Sequence, residues 1–146
     1  MTAAPSETVR AYLLELQNHL CQNISAEDKT AFHEDKWSSA IGDGRTHILR
    51  EGNLFDQVVV NFSHISANAL PEAASARHPE LTGRPYQAMG VSLVCHALNR
   101  YVPTARMKVR FFVADVAQEA WWFGGGYDLS PIDSFGGDAV HWHTLT

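Results

Sequence analysis

The sequence predicts an α+β fold, an antiparallel β-sheet flanked by helices. Three observations predict it. An early stretch carries helical spacing. Several later runs alternate with period two and are punctuated by turn residues. The turns between the first of those runs are too short to hold a parallel crossover. At 146 residues the chain is long enough for one domain with its own core, and no repeat, linker or low-complexity tract divides residues 1–146.

Pro5 and Ser6 make a helix start, and Val9, Tyr12, Leu13, Leu16 and Leu20 then follow helical spacing. Arg10, Glu15 and Gln17 fall elsewhere on the wheel. The expected helix runs from Glu7 to about Asn23 and covers a sheet, with His19 at its surface. Phe32 to Trp37 reads as a short strand. Gly42-Asp43-Gly44 reads as a turn before a strand Arg45–Arg50, and Glu51-Gly52-Asn53 as the turn into a longer strand of about Leu54 to Ile65. There Val58, Val60 and Phe62 share one face, while Val59, Asn61 and Ser63 share the other. The second face suits either a pocket or the wet side of a sheet.

Residues 67–85 read as a long surface connection with a short helix near Pro71 to Ala76. Tyr86 to His96 is the next strand, Ala97 to Thr104 a turn, and Ala105 to Asp115 a strand whose Met107, Val109, Phe111 and Val113 form an apolar face. Glu119 to Gly124 makes a further strand, followed by Gly124-Gly125-Gly126, where another backbone or a flat ligand can come close. No phosphate-loop or GxGxxG pattern surrounds these glycines. Asp138 to His143 reads as the first turns of a helix, marginal unless packed. Its stop at Thr146 suggests a fragment.

Hydrophobic residues at 45% and charged residues at 18% mark an ordinary globular chain. A net charge of −5 argues against a nucleic-acid partner. No secretory h-region or membrane-length apolar run is present. Cys21 and Cys95 match no metal or redox spacing and read as reduced core thiols of a cytoplasmic protein.

Against that acidic background, Met89 to Arg110 is the distinctive stretch. Alternation presents Ser92, Val94 and His96 on one face of a strand, and Arg106, Lys108 and Arg110 on one face of the next. Three cations, a hydroxyl and an imidazole suit a ligand with several carboxylates or phosphates. Gatekeeper charges on an edge strand would give the same pattern. Of the eight histidines, His141 and His143 point apart if they lie on a helix and do not then chelate one ion together, whereas on a strand they share a face and can. No Ser-His-Asp or Cys-His arrangement has local support, and Cys95 and His96 point to opposite faces.

The stretches HPELTGRPYQAMGVSLVCHALNRYVPTARMKVRFF and WWFGGGYDLSP, with VVVNFSHI, GDGR, LCQ and HWH, make the chain similar to the oxygen-dependent coproporphyrinogen-III oxidases. Those proteins are about twice as long, so the resemblance is to their N-terminal half. It implies a large antiparallel sheet flanked by helices, and a homodimer. The implied reaction converts two propionates of coproporphyrinogen III to vinyls, consuming molecular oxygen as co-substrate and releasing carbon dioxide, in haem synthesis. No organic cofactor is implied. A divalent metal is contested in that family, whose histidines are assigned as its ligands.

Carried over by position, Ser92 matches a substrate contact, His96 matches a histidine assigned to metal or substrate, and His143 matches an assigned metal ligand. Val109 and Arg110 match substrate contacts, while Lys108 replaces one. Arg106 stands where the family has a histidine proton donor, and Ala97 and Arg100 stand where it has prolines. Arginine stays protonated near neutral pH, so Arg106 holds a carboxylate but shuttles no proton. The family's C-terminal GGR and YDRG motifs have no counterpart here. The expectation is therefore a pocket open on one side and a chain inactive alone. The competing expectations are a non-catalytic tetrapyrrole or anion binder and a non-functional fragment.

Overall fold

The computed structural model describes residues 4–73, 75–114 and 120–146. Helix α1 (Ser6–Asp28) precedes six strands, β1 (His33–Ser39), β2 (Gly42–Arg50), β3 (Phe55–Ala67), β4 (Tyr86–Ala97), β5 (Thr104–Ala114) and β6 (Ala120–Ser130). Helix α2 (Gly136–Leu145) follows. The strands form one antiparallel sheet in the order β1-β2-β3-β4-β5-β6. The expected α+β class and antiparallel meander are what the chain forms.

Alternation gives the sheet two chemically different faces. Val58, Val60 and Phe62 of β3, Met89 and Val91 of β4, and Phe111 and Val113 of β5 are buried on one face. Val9, Leu13 and Cys21 of α1 cover them. We call this the helix face. The other face carries the cations, and one end of it is roofed by the connection between β3 and β4. Leu70 and Leu81 of that connection pack with Ala114, Phe112 and Trp122.

The helix departs from expectation in two ways. Gln17 belongs to the buried stripe, not the wet side, and is wholly inaccessible, whereas Tyr12 is 60% exposed. The amide is fully used: its nitrogen donates to the carbonyls of Arg45 (2.6 Å) and Val60 (2.9 Å), and its oxygen accepts from Arg45 Nε at 2.7 Å. A buried polar group survives when all its partners are present. The helix also runs past Asn23 to Asp28. There the buried Asp28 carboxylate accepts the backbone N–H groups of Asn53, Leu54 and Phe55 at 2.9–3.0 Å. Burial alone would raise this carboxyl, but those bonds and one from Thr30 outweigh it and hold its pKa at about 2. Lys29, left-handed at φ 67°, ends the helix.

Gly42 and Gly44 do not turn the chain. Both lie inside β2, and the reversal is at Ala40–Ile41. Their bareness makes room: a Cβ on Gly44 would collide with the Trp37 ring, and one on Gly42 with the His64 carbonyl. The Glu51–Asn53 turn is as expected, with Glu51 left-handed at φ 52°. The helix expected near Pro71 to Ala76 is a single closed turn at Ser75, and the helical element of this connection is instead a 3₁₀ turn at Pro79–Leu81. β6 continues through all three glycines to Ser130, further than the apolar run suggested. The expected strand ends at Asp115 and Glu119 lie outside the described residues. No helix among the described residues is long and apolar enough to cross a membrane.

Candidate functional site

The register of β4, β5 and β6 sets the cations in rows. Arg110 lies between Gly90 and Gly124, Lys108 between Ser92 and Gly126, and Arg106 between Val94 and Asp128. Directly opposed residues share a face, so all three cations and Ser92 project together. The stretch singled out in the sequence is therefore one surface.

Its charges are not equivalent. Arg106 is engaged by Asp128 (3.5 Å) and donates to Ser130 Oγ at 2.9 Å. Both ionic partners are about half exposed, so this pair contributes little to stability. It does, however, neutralise one cation. Lys108 and Arg110 have no carboxylate within ion-pair distance among the described residues. The backbone is shaped around Arg110: a Cβ on Gly90 would lie 2.9 Å from its Cδ and clash with the Val109 carbonyl. Gly124 and Gly126 have nothing within 4 Å of such a Cβ, so they leave open floor beside the two cations.

A cleft of about 930 Å³ stands over this floor. Phe112 and Trp122, neighbours across β5 and β6, stack at 5.5 Å and 18° to form one wall. His78 lies against Trp122 at 5.0 Å, and Arg77 beside it also lines the cleft. The site thus combines free positive charge, a hydroxyl, a bare floor and flat aromatic walls. It can bind a flat or broad anion and orient its carboxylates.

The other expected site residues are placed differently. Val109 turns its side chain to the helix face, opposite Val91, so only its backbone is left to the cationic face. Strand parity requires this of any residue between Lys108 and Arg110. His96 is exposed at the far end of the cationic face, with Nδ1 3.3 Å from Thr104 Oγ1. His143 lies on α2 beside Leu129 and Trp142. Leu129 pairs with Ala105 on the helix face, and Trp142 meets Tyr127 of that same face at 5.4 Å. His96 and His143 are therefore on opposite sides of the sheet and do not form one metal site. Among the described residues no three His, Cys, Asp or Glu side chains are grouped as metal ligands.

Sequence reasoning missed Asp128, Trp122 and His78. Asp128 was discoverable from the β5–β6 register, which sets it opposite Arg106 once the glycines face Lys108 and Arg110. Nothing local in the sequence brings His78 to Trp122; that contact depends on how the long connection folds back. Asn61, which had two readings, shares this face, but its Oδ1 accepts from Thr46 Oγ1 at 2.6 Å.

The family model for coproporphyrinogen III oxidase matches residues 8–146, nearly the whole chain, including every strand of the cleft. The chain belongs to the coproporphyrinogen III oxidase family.

Proposed function

We propose that the cationic face grips the propionate carboxylates of coproporphyrinogen III, the substrate of an oxygen-dependent oxidative decarboxylation. One observation carries the reading: Lys108 and Arg110 stand side by side over a glycine floor, with no carboxylate within ion-pair distance among the described residues. In this reading Arg110 takes a carboxylate through two parallel N–H bonds and Lys108 adds a point charge. Ser92 donates its hydroxyl to the same group. The Phe112–Trp122 wall covers a pyrrole face, and Gly124 and Gly126 let the macrocycle settle on β6. His96 on this face and His78 beside the cleft are imidazoles able to hold or move a proton.

In the family reaction each of two propionates loses carbon dioxide and two electrons to become a vinyl. Oxygen takes the electrons, and no organic cofactor is required. The separated His96 and His143 do not fit a shared divalent ion, so no step is routed through one.

Arg106 favours a second feature of the proposal, that the isolated chain binds without appreciable turnover. It stands at the proton-donor position, it is tied to Asp128 and Ser130, and it cannot release a proton near neutral pH. Two free thiols fit a cytoplasmic setting. Exposed Phe123 and Tyr127 on β6 fit a homodimer contact.

The test is an absorbance titration with coproporphyrin, paired with a fluorescence assay for protoporphyrin after incubation with coproporphyrinogen in air. Saturable binding without product is the expected result. No spectral shift at saturating coproporphyrin sinks the binding reading. Turnover at the rate of an active family enzyme sinks the claim that Arg106 blocks catalysis.

A further inference from the structure

Near the β1 edge, on the helix face and remote from the cationic cleft, three elements bring a thiol, an imidazole and a carboxylate into line. Cys21 comes from the buried stripe of α1, His47 from β2, and Glu34 from β1, where it is the direct cross-strand partner of His47. Cys21 Sγ lies 3.2 Å from His47 Nδ1. Nε2 of the same ring lies 2.9 Å from Glu34 Oε2. A carboxylate only accepts, so Nε2 carries the ring proton and Nδ1 offers its lone pair to the thiol. The hydrogen bond with His47 is also the main reason the Glu34 carboxyl sits below its ordinary range.

This is a nucleophile, a base and a group that orients the base, the combination that activates a thiol. The site is reachable. A depression of about 610 Å³ opens over it, lined by Asn18, Ser25 and Phe32 together with the three residues themselves. Two further charged groups face it. Arg45, two residues before His47 on the same face of β2, favours the thiolate, and Lys36 lies 3.4 Å from Glu34. Burial nevertheless pushes the Cys21 thiol up to about 11, so at rest it is protonated and needs a base to react.

We propose that Cys21 is a base-assisted thiol that is oxidised by hydrogen peroxide, with His47 as the base and Glu34 as its positioning residue. As sulfur attacks one peroxide oxygen, His47 Nδ1 takes the thiol proton. The S–O bond forms and the O–O bond breaks. Sulfur is oxidised to the sulfenic acid, and the other oxygen leaves as hydroxide, which takes the proton back from the imidazolium as water.

The chain contains its own control. Cys95 is as buried as Cys21 (9% against 8% exposed), and burial pushes its thiol to about 11 as well. Among the described residues Cys95 has no imidazole within hydrogen-bonding distance. The experiment treats the folded chain with hydrogen peroxide, traps sulfenic acid with dimedone and measures each site by peptide mass spectrometry. Iodoacetamide alkylation across pH gives a second readout. Cys21 is expected to be trapped at least about tenfold faster than Cys95, in keeping with general-base assistance. His47→Gln should bring the two rates together, with the far-ultraviolet circular dichroism unchanged. Equal rates in the unaltered chain, or a Cys21 rate insensitive to His47→Gln, overturn the proposal. If His47→Gln fails to fold, Glu34→Ala at the exposed strand edge decides. A slower Cys21 with an altered pH profile supports the assignment, and an unchanged rate and profile defeat it.

Discussion

Glycines on the two strands that flank β5 treat its cations in opposite ways. Gly90 is bare because the Arg110 side chain lies over it, whereas Gly126 is bare over open space beside Lys108. Gly90→Ala is therefore expected to destabilise the fold and displace Arg110, lowering the melting temperature and weakening coproporphyrin binding together. Gly126→Leu should leave the melting temperature nearly unchanged and still block binding, by filling the floor. Arg110→Ala should weaken coproporphyrin binding about ten- to hundredfold, the range for losing a charge-assisted hydrogen bond. Arg106→His restores a titratable group opposite Asp128, and protoporphyrin formation should rise from background if the proton-donor reading holds. Parity put Lys108 and Arg110 on one face of a strand and Ser92 on one face of the strand before it; the β4–β5 register makes them one surface. Parity could not show that Arg106 is neutralised, because that depends on which β6 residue stands opposite. The Cys21–His47–Glu34 line was hidden for a related reason. It joins a helix stripe to two strands, and no sequence spacing encodes that docking.

Helix α1 shows how an element's boundary is set from outside. Its periodic apolar residues located its body, but its last turn exists because Asp28 collects three amides from the β2–β3 turn. Gly52 is required there, since a Cβ would meet the Asp28 carboxylate at 2.5 Å. The pH consequence follows from the direction of the shift. Asp28 titrates lower folded than its ordinary value of 3.8, so its contribution is fully present above that value and is lost as pH falls through about 2. Asp28→Asn should flatten the loss of thermal stability between about pH 4 and pH 2, read by melting scans across that window. Gln17 carries the companion lesson. The sequence reading set this polar residue apart from the apolar stripe, yet it is buried in that stripe and satisfied by carbonyls of two different strands. Only the docked pair of elements supplies those partners.

Across the whole molecule, burial is uneven. β3 and β4 lie at the centre of the sheet beneath α1, while α2 has no buried residue and touches the rest through contacts such as Trp142 on Tyr127. Hydrogen exchange should accordingly be slowest in β3 and β4 and fastest in α2. Protection of α2 equal to that of β4 would contradict this order. The antiparallel sheet was readable from alternation and short turns, because each strand pairs with its chain neighbour. The fold of residues 68–85 was not readable, since its stability comes from Leu70 and Leu81 meeting strand residues across the sheet.

That strand order has a consequence for cutting the chain. A nick in the connection between β3 and β4 severs no strand and leaves two contiguous pieces, each a three-stranded meander with its own helix. The N-terminal piece owns the whole thiol trio, and the C-terminal piece owns Ser92, Lys108, Arg110 and the glycine floor. What rejoins them is the apolar seam of Val58, Val60 and Phe62 against Val91 and Cys95. The two pieces, mixed, should co-elute and recover coproporphyrin binding by complementation, each bringing one chemistry intact.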